Sequence, residues 1–278
     1  MQLDSPQIDT FQQTVWDYYR AHGRHMPWRD NPDPYWVLVS ELMLQQTQIA
    51  RVLPKFAAFV QRFPAVDNLA RASLAEVLGA WSGLGYNRRA KFLHAAAQLI
   101  VEKFQGKIPD DKDALLTLPG VGQNTAGAIL AYAFNQPTVF IETNIRTVYF
   151  YHFFPGRARV NDKELALCIA QTLDHQHPRE WYWALMDYGT HLKQTVGNNI
   201  SNSQHYTRQS KFEGSRRQVR GNMLKILLDG ARTVAELDDA LQHDERLLPV
   251  LDQLVREGFV YKMGKYYRLT DRPFQTRP

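Results

Sequence analysis

Through most of the first 195 residues apolar positions recur every three or four places, and strictly alternating apolar and polar runs are scarce. That spacing belongs to helices burying one face, so the body is predicted to be mainly α. An amphipathic helix over residues 11–19 leads into HGRHMPWRDNPDPY, where three prolines within eight residues are expected to exclude a helix until Trp36. The stretch VLVSELMLQQTQIARVL then predicts one continuous helix. Further helices fit residues 54–62, 73–81, 87–104, 111–117, 123–135, 143–152, 161–174 and 178–192, separated by short Pro or Gly punctuation.

The pattern changes at residue 196. VGNNISNSQHYTRQSKFEGSRRQ, residues 196–218, has few apolar positions and reads as a linker. Beyond it, Val219, Met223, Ile226 and Leu227 give one helical face, and Val234, Leu237, Ala240 and Leu241 give another behind a Thr233/Glu236 capping box. A third helix from about Leu247 ends at Gly258, and FVYKMGKYYRLT reads as two short strands around Gly264. Three helices and a hairpin predict a winged-helix domain over residues 219–272, behind a body of residues 1–195.

The chain has 278 residues, 44% of them hydrophobic and 22% charged, which suits one to three folded domains and excludes disorder as the main state. No uncharged apolar run is long enough to span a bilayer, and MQLDSPQIDT lacks the basic start and apolar stretch of a leader. A cytosolic, nucleoid-associated protein with no membrane partner is expected. Lys and Arg number 33 against 28 Asp and Glu, a net +5. The excess is uneven: over residues 201–220, Arg208, Lys211, Arg216, Arg217 and Arg220 oppose only Glu213. Such a patch suits a polyanion or a solvated linker equally.

The lone cysteine, Cys168 in LALCIAQTL, excludes a disulfide framework, a four-thiolate zinc site and a cysteine-ligated iron–sulfur cluster; a buried structural thiol is expected. His175 and His177 flank Gln176, but no third ligand lies at helical spacing, so no transition-metal site is predicted.

Three segments carry candidate chemistry. LPGVG, Leu118 to Gly122, lies between two predicted helices; a Gly-rich turn there makes a helix-hairpin-helix whose backbone N–H groups suit a phosphate, although a plain helix connection has the same look. In TVFIETNIRTV, Glu142 and Asn144 open a helix, and the carboxylate is either an N-cap or a catalytic group. In VLVSELMLQQTQ, Glu41 sits among apolar neighbours; there it either points to solvent or has a raised pKa and donates a proton near neutrality.

Taken together, PWR (27–29), DPY (33–35), SELMLQQTQ (40–48), WSGLGY (81–86), LPGVGQNTAGAIL (118–130) and MDYG (186–189) resemble the helix-hairpin-helix base-excision DNA glycosylases, specifically the MutY-type adenine DNA glycosylases. The resemblance runs over roughly residues 20–192 and implies a mainly α, two-lobed fold. One lobe would have six helices over about residues 30–135; the other would combine the N-terminal helix with residues 136–195. It also implies that Glu41 protonates the leaving purine, that Glu142 with Asn144 supports the positive charge developing on the sugar, and that Arg24, Trp28, Arg29 and Asp187 line the base pocket. Cleaving an N-glycosidic bond needs a better leaving group and an anion near an oxocarbenium-like centre, which accounts for two carboxylates, and the base must first leave the duplex. Leu44 and Gln46 would probe the base stack, and Gln45, Tyr86 and Asn87 would also contact DNA. Leu118, Gly120, Val121, Gly122, Gln123, Asn124 and Thr125 would hold the DNA backbone. Backbone carbonyls of Leu116, Leu118 and Val121 would hold a sodium or potassium ion.

The sequence departs from the family pattern at Glu142, where Asp is usual, and at Asn87, where a second Tyr is usual. THLKQTVGNNISNSQH contains none of the cluster-ligating cysteines that should follow MDYG, so no iron–sulfur cluster is expected. Asn124 stands where bifunctional relatives place a nucleophilic lysine, which predicts base release without strand cutting, with Lys91 and Lys112 the nearest amines. The expected activity is a monomeric, monofunctional glycosylase acting on adenine opposite guanine or 8-oxoguanine in duplex DNA. The alternatives are removal of uracil or thymine mispaired with guanine, and a catalytically silent DNA-binding protein.

Overall fold

The structure, a computed structural model, describes residues 2–157, 159–197 and 211–270. These fall into two compact units: residues 2–41, 109–117 and 121–197 form one, and residues 42–108, 118–120 and 211–270 the other. The expected mainly α class holds.

In the first unit, α1 (Ser5–His22) begins with a capping box, Asp4 accepting from the Gln7 N–H and Gln7 reciprocating, and buries Phe11 and Val15. The proline-rich stretch is more helical than its composition predicts. Pro27 opens a single turn, α2 (Pro27–Asp30), and Pro34 opens α3 (Pro34–Leu44), with Asp33 Oδ1 accepting from the Tyr35 and Trp36 N–H groups. Proline has no N–H to lose in a first helical turn, which is why both are tolerated. The short α8 (Lys112–Leu116) and α9 (Gln123–Phe134) make the expected helix pair. Helices α10 (Thr143–Phe153), α11 (Asp162–Thr172) and α12 (Pro178–Thr195) complete the unit. Its core joins Phe11, Tyr149 and Trp181, with ring centroids 5.2 and 5.9 Å from Phe11, and Cys168 is buried as expected. His177 is the exposed N-cap residue of α12 and meets the Trp16 ring edge-on.

The second unit corrects the longest predicted helix. The run from 37 to 53 breaks after α3; Gln46 adopts a left-handed backbone at φ 56°, and α4 (Ile49–Arg62) restarts and runs through Pro54. Burial of Val52, Phe56 and Phe59 offsets the hydrogen bond Pro54 cannot donate. Helix α5 (Val66–Arg71), absent from the sequence reading, precedes α6 (Leu74–Trp81) and α7 (Arg88–Phe104).

The tail contains α13 (Arg216–Leu228), α14 (Val234–Ala240), α15 (Leu247–Arg256) and a hairpin of β2 (Val260–Met263) and β3 (Tyr266–Leu269). A short β1 (Arg232–Thr233), not predicted, adds to β3 and gives the antiparallel order β1-β3-β2. The expected Thr233/Glu236 capping box is present. Three residues read as linker, 216–218, already belong to α13; residues 198–210 of that linker lie outside the described ones. The tail shares a compact unit with residues 42–108, and a Cβ at Gly79 of α6 would lie 3.8 Å from Leu228 at the end of α13.

Candidate active site

Helix α3 is apolar almost all round: Leu38, Val39, Leu42 and Met43 are fully buried. Glu41 therefore stands half-buried among hydrocarbon. Among the described residues no donor hydrogen-bonds its carboxyl. Burial, and next the neighbouring Glu142 carboxylate, push its pKa up to about 8, with Arg29 pulling the other way. Of the two sequence readings, the structure supports the raised-pKa one. The buried Tyr132 lies in the same electrostatic neighbourhood, its own pKa raised by burial and then by Glu41.

Of the two sequence readings of Glu142, the structure shows the N-cap. The residue caps α10, its Oε2 accepting from the Asn144 N–H at 2.7 Å, and it also faces Glu41 electrostatically. Asn144 is held against α12, where Gly189 permits an approach that a side chain would block: a Cβ there would lie 2.4 Å from the Asn144 carbonyl oxygen. Lys193, which the sequence reading did not single out, donates from Nζ to Asn144 Oδ1 at 2.6 Å.

Three of the predicted pocket residues form a clamp. Asp187, almost fully buried, receives Arg29 Nη1 and Nη2 at 2.9 and 3.0 Å, and Arg24 N and Nε at 2.8 Å each. Arg29 also lies 5.6 Å over the Trp183 ring, and Trp28 is buried beside it in sequence. The Asp187 and Arg29 polar groups thus bind each other, which suits holding the pocket wall in place.

The predicted DNA-facing residues are placed unequally. Leu118 and Val121 bury their side chains, so only their backbone remains for a phosphate. Gly122, Gln123 and Asn124 are exposed at the start of α9, where Gly122 caps without a side chain. Asn124 Oδ1 accepts from the Ile141 N–H at 3.1 Å, tying α9 to the segment before Glu142. Thr125 is half-buried one residue on. Gly120 has φ 82°, and a Cβ there would sit 2.8 Å from that of Phe92, so the turn requires glycine twice over.

Leu44 and Gln45 are half-buried, while Gln46 and Tyr86 are exposed and Asn87 is half-buried. Arg89, another residue the sequence reading passed over, organises both loops. Its buried guanidinium donates to the carbonyls of Leu42, Met43 and Gln45 at 2.9, 2.7 and 2.5 Å, to Thr47 Oγ1 at 3.0 Å, and to the carbonyls of Leu84 and Gly85 at 3.3 Å. A cation on the last carbonyls of α3 ends that helix and bends the chain at Gln46. Only the run RR after GLGYN hinted at it.

Comparison with solved structures fixes the class of fold. The structure of a thermostable thymine-DNA glycosylase superposes with a TM-score of 0.61 at 24% identity, covering 66% of this chain and 86% of that one. A trapped endonuclease III–DNA covalent intermediate gives 0.53 at 19% identity, covering 69% and 86%. Residues 39–168 match the HhH-GPD superfamily of base excision DNA repair proteins. The adenine DNA glycosylase of Mycolicibacterium smegmatis is 33% identical over 267 residues, 87% of this chain and 90% of that protein. The adenine DNA glycosylase of Buchnera aphidicola subsp. Baizongia pistaciae is 35% identical over 184 residues (64% and 52%), and that of Mus musculus 40% over 154 residues (52% and 30%). The chain belongs to the HhH-GPD superfamily of base-excision glycosylases, and within it to the MutY type. It spans nearly all of the mycobacterial relative and about half or less of the other two.

Proposed function

We propose that this protein hydrolyses the N-glycosidic bond of adenine mispaired with guanine or 8-oxoguanine in duplex DNA. The observation that carries the reading is Glu41, a carboxyl shifted to about 8 beside a second carboxylate. An acid with that pKa is protonated at neutral pH and ready to donate. A purine offers N7 as the proton's destination, which favours adenine over a pyrimidine. As the C1′–N9 bond opens, the Glu142 carboxylate supports the oxocarbenium-like sugar, and water attacks C1′. Asn144, fixed beside Glu142, contributes its amide to the same side. Backbone N–H groups at Gly122–Asn124 would hold a phosphate, without reading sequence.

The reading extends to a monomer that works at the nucleoid, needs no iron–sulfur cluster and leaves the strand uncut. Four thiolates are needed for a cluster of that kind and the chain has one cysteine. Lys91 is directed at the tail, its Nζ donating to the Glu257 carbonyl and lying 5.0 Å from the Phe259 ring centroid. By the family resemblance, backbone carbonyls of Leu116, Leu118 and Val121 would hold a sodium or potassium ion. The tail hairpin, where Lys262, Lys265 and Arg268 lie 5.4–5.7 Å from the rings of Tyr267, Tyr266 and Tyr261, would add salt-sensitive contact with the backbone.

The test is release of free adenine from duplexes carrying A opposite G, A opposite 8-oxoguanine, U opposite G and T opposite G, without strand cleavage until alkali is added. Release from the two adenine substrates alone is expected. Release of a pyrimidine instead, or of nothing from any duplex, would overturn the reading.

A further inference from the structure

Asn144 is gripped at both ends of its side-chain amide. Lys193 Nζ donates to Oδ1 at 2.6 Å, and Met186 Sδ lies 3.9 Å from Nδ2. Met186, Gly189 and Lys193 are spaced three and four residues apart on α12, so they share one helix face, and that face meets the first turn of α10. Gly189 in the middle brings the backbones together. Lys193 and Met186, on either side of it, bracket the amide.

An ammonium has three donors and no acceptor, so it admits only the oxygen end of an amide. The contact therefore decides which way Asn144 faces, and it turns Nδ2 away from Lys193. Lys193 is half-buried, and ordering a long side chain there has an entropic cost that a surface lysine avoids. Glu142, whose carboxylate attracts the ammonium, is two residues before Asn144 and caps the same helix. One cation thus holds the amide that follows the cap.

We infer that Lys193 is a positioning residue for base excision, fixing the orientation of Asn144 beside Glu142. The inference rests on the proposed glycosylase reading. Lys193 acts through Asn144, which separates it from a lysine nucleophile attacking the sugar: its amine is committed to Oδ1.

The experiment uses the full chain and single-turnover adenine release from an A opposite 8-oxoguanine duplex. Release by the wild type is the control, and its failure would count against the glycosylase reading alone. Lys193→Met keeps the aliphatic stem and removes the amine; it should slow release roughly 10- to 100-fold, the scale of a slightly misplaced active-site group, while duplex affinity stays within about threefold. In an Asn144→Ala background the same substitution should have little further effect, since the two residues act as one unit. Lys193→Cys treated with bromoethylamine rebuilds an ammonium of equal reach, and Cys168 is buried; recovery of rate is expected, and this keeps the test open should the Met variant misfold. Equal slowing in both backgrounds, a loss confined to affinity, or a borohydride-trapped adduct that disappears with Lys193 would each overturn the inference.

Discussion

Glu41 and Glu257 are both half-buried glutamates near arginine, one in each compact unit, and their environments drive them in opposite directions. At Glu41 burial dominates, Glu142 adds to it, and the one opposing cation, Arg29, is bound to Asp187. At Glu257 burial also opposes the charge, but hydrogen bonds from Arg88 and Gln253 and the charge of Arg220 outweigh it and hold the carboxyl at about 2. Arg220 Nη2 lies 2.6 Å from Oε2, and its guanidinium is 4.7 Å from the Phe259 ring centroid. Burial alone does not predict a reactive acid. A buried carboxyl becomes a proton donor where its donors are withheld and becomes a structural anchor where they are supplied.

The largest expected effect comes from removing the acid at the first site. Glu41→Gln should slow adenine release by roughly 10³-fold or more while leaving duplex affinity nearly unchanged, because the amide keeps the shape and loses the proton. Single-turnover release at near-wild-type rate would dissolve the contrast between the two glutamates.

Next is the second carboxylate. Glu142→Gln should slow release roughly 10- to 100-fold by withdrawing the anion near the sugar. It should also change the pH profile. Wild-type release is expected to fall as pH rises through about 8, where Glu41 loses its proton. Glu142 raises that value, so the variant's alkaline limb should move to lower pH. An unmoved limb would mean the two carboxylates are uncoupled.

These groups were partly legible in the sequence. Glu41 stands out because four surrounding positions are apolar, and LPGVG because glycines punctuate two periodic runs. Arg89 and Lys193 were not legible: each acts through a partner more than 40 residues away, and neither breaks its helix's pattern. The same reason explains the missed break at Gln46. The sequence there, QQTQ, holds neither Pro nor Gly and stays helix-permissive, and Arg89, from α7, supplies the interruption. The two-residue β1 is too short to show a period of two.

Glu257 permits a thermodynamic version of the comparison. Glu257→Gln should lower stability by about 1 kcal/mol at neutral pH, a Tm shift of roughly 2–4 °C, with the base released unchanged. A depressed folded pKa gives stability that is present above the ordinary value of 4.5 and is lost as pH falls toward about 2. The difference between wild type and variant should therefore shrink over that range. Glu41 runs the other way: its folded pKa is raised, so stability is lost as pH climbs from 4.5 to about 8, and the Tm advantage of Glu41→Gln should grow over that window. Thermal melts of both variants from pH 3 to 9 check the two signs, and parallel curves would refute the contrast.

The smallest effect on stability is expected at Gly122, one of two glycines in a single turn. Gly120 sits at φ 82° against Phe92, so Gly120→Ala should destabilise by about 1–2 kcal/mol through left-handed strain alone, before the contact is counted. Gly122 differs in both respects. Its backbone is extended at φ −96°, and a Cβ would meet nothing within 4 Å. Gly122→Ala should leave the Tm within about 1 °C, since no fold contact is disturbed. If a phosphate docks on the N–H groups that open α9, however, the added methyl stands where the DNA backbone must approach, and duplex affinity should drop by a few-fold. Melting curves and salt-matched binding titrations on this pair therefore divide the turn's work: one glycine required by the fold, the other by the ligand. A Gly122→Ala variant that bound duplex as well as wild type would remove the reason for placing a phosphate there.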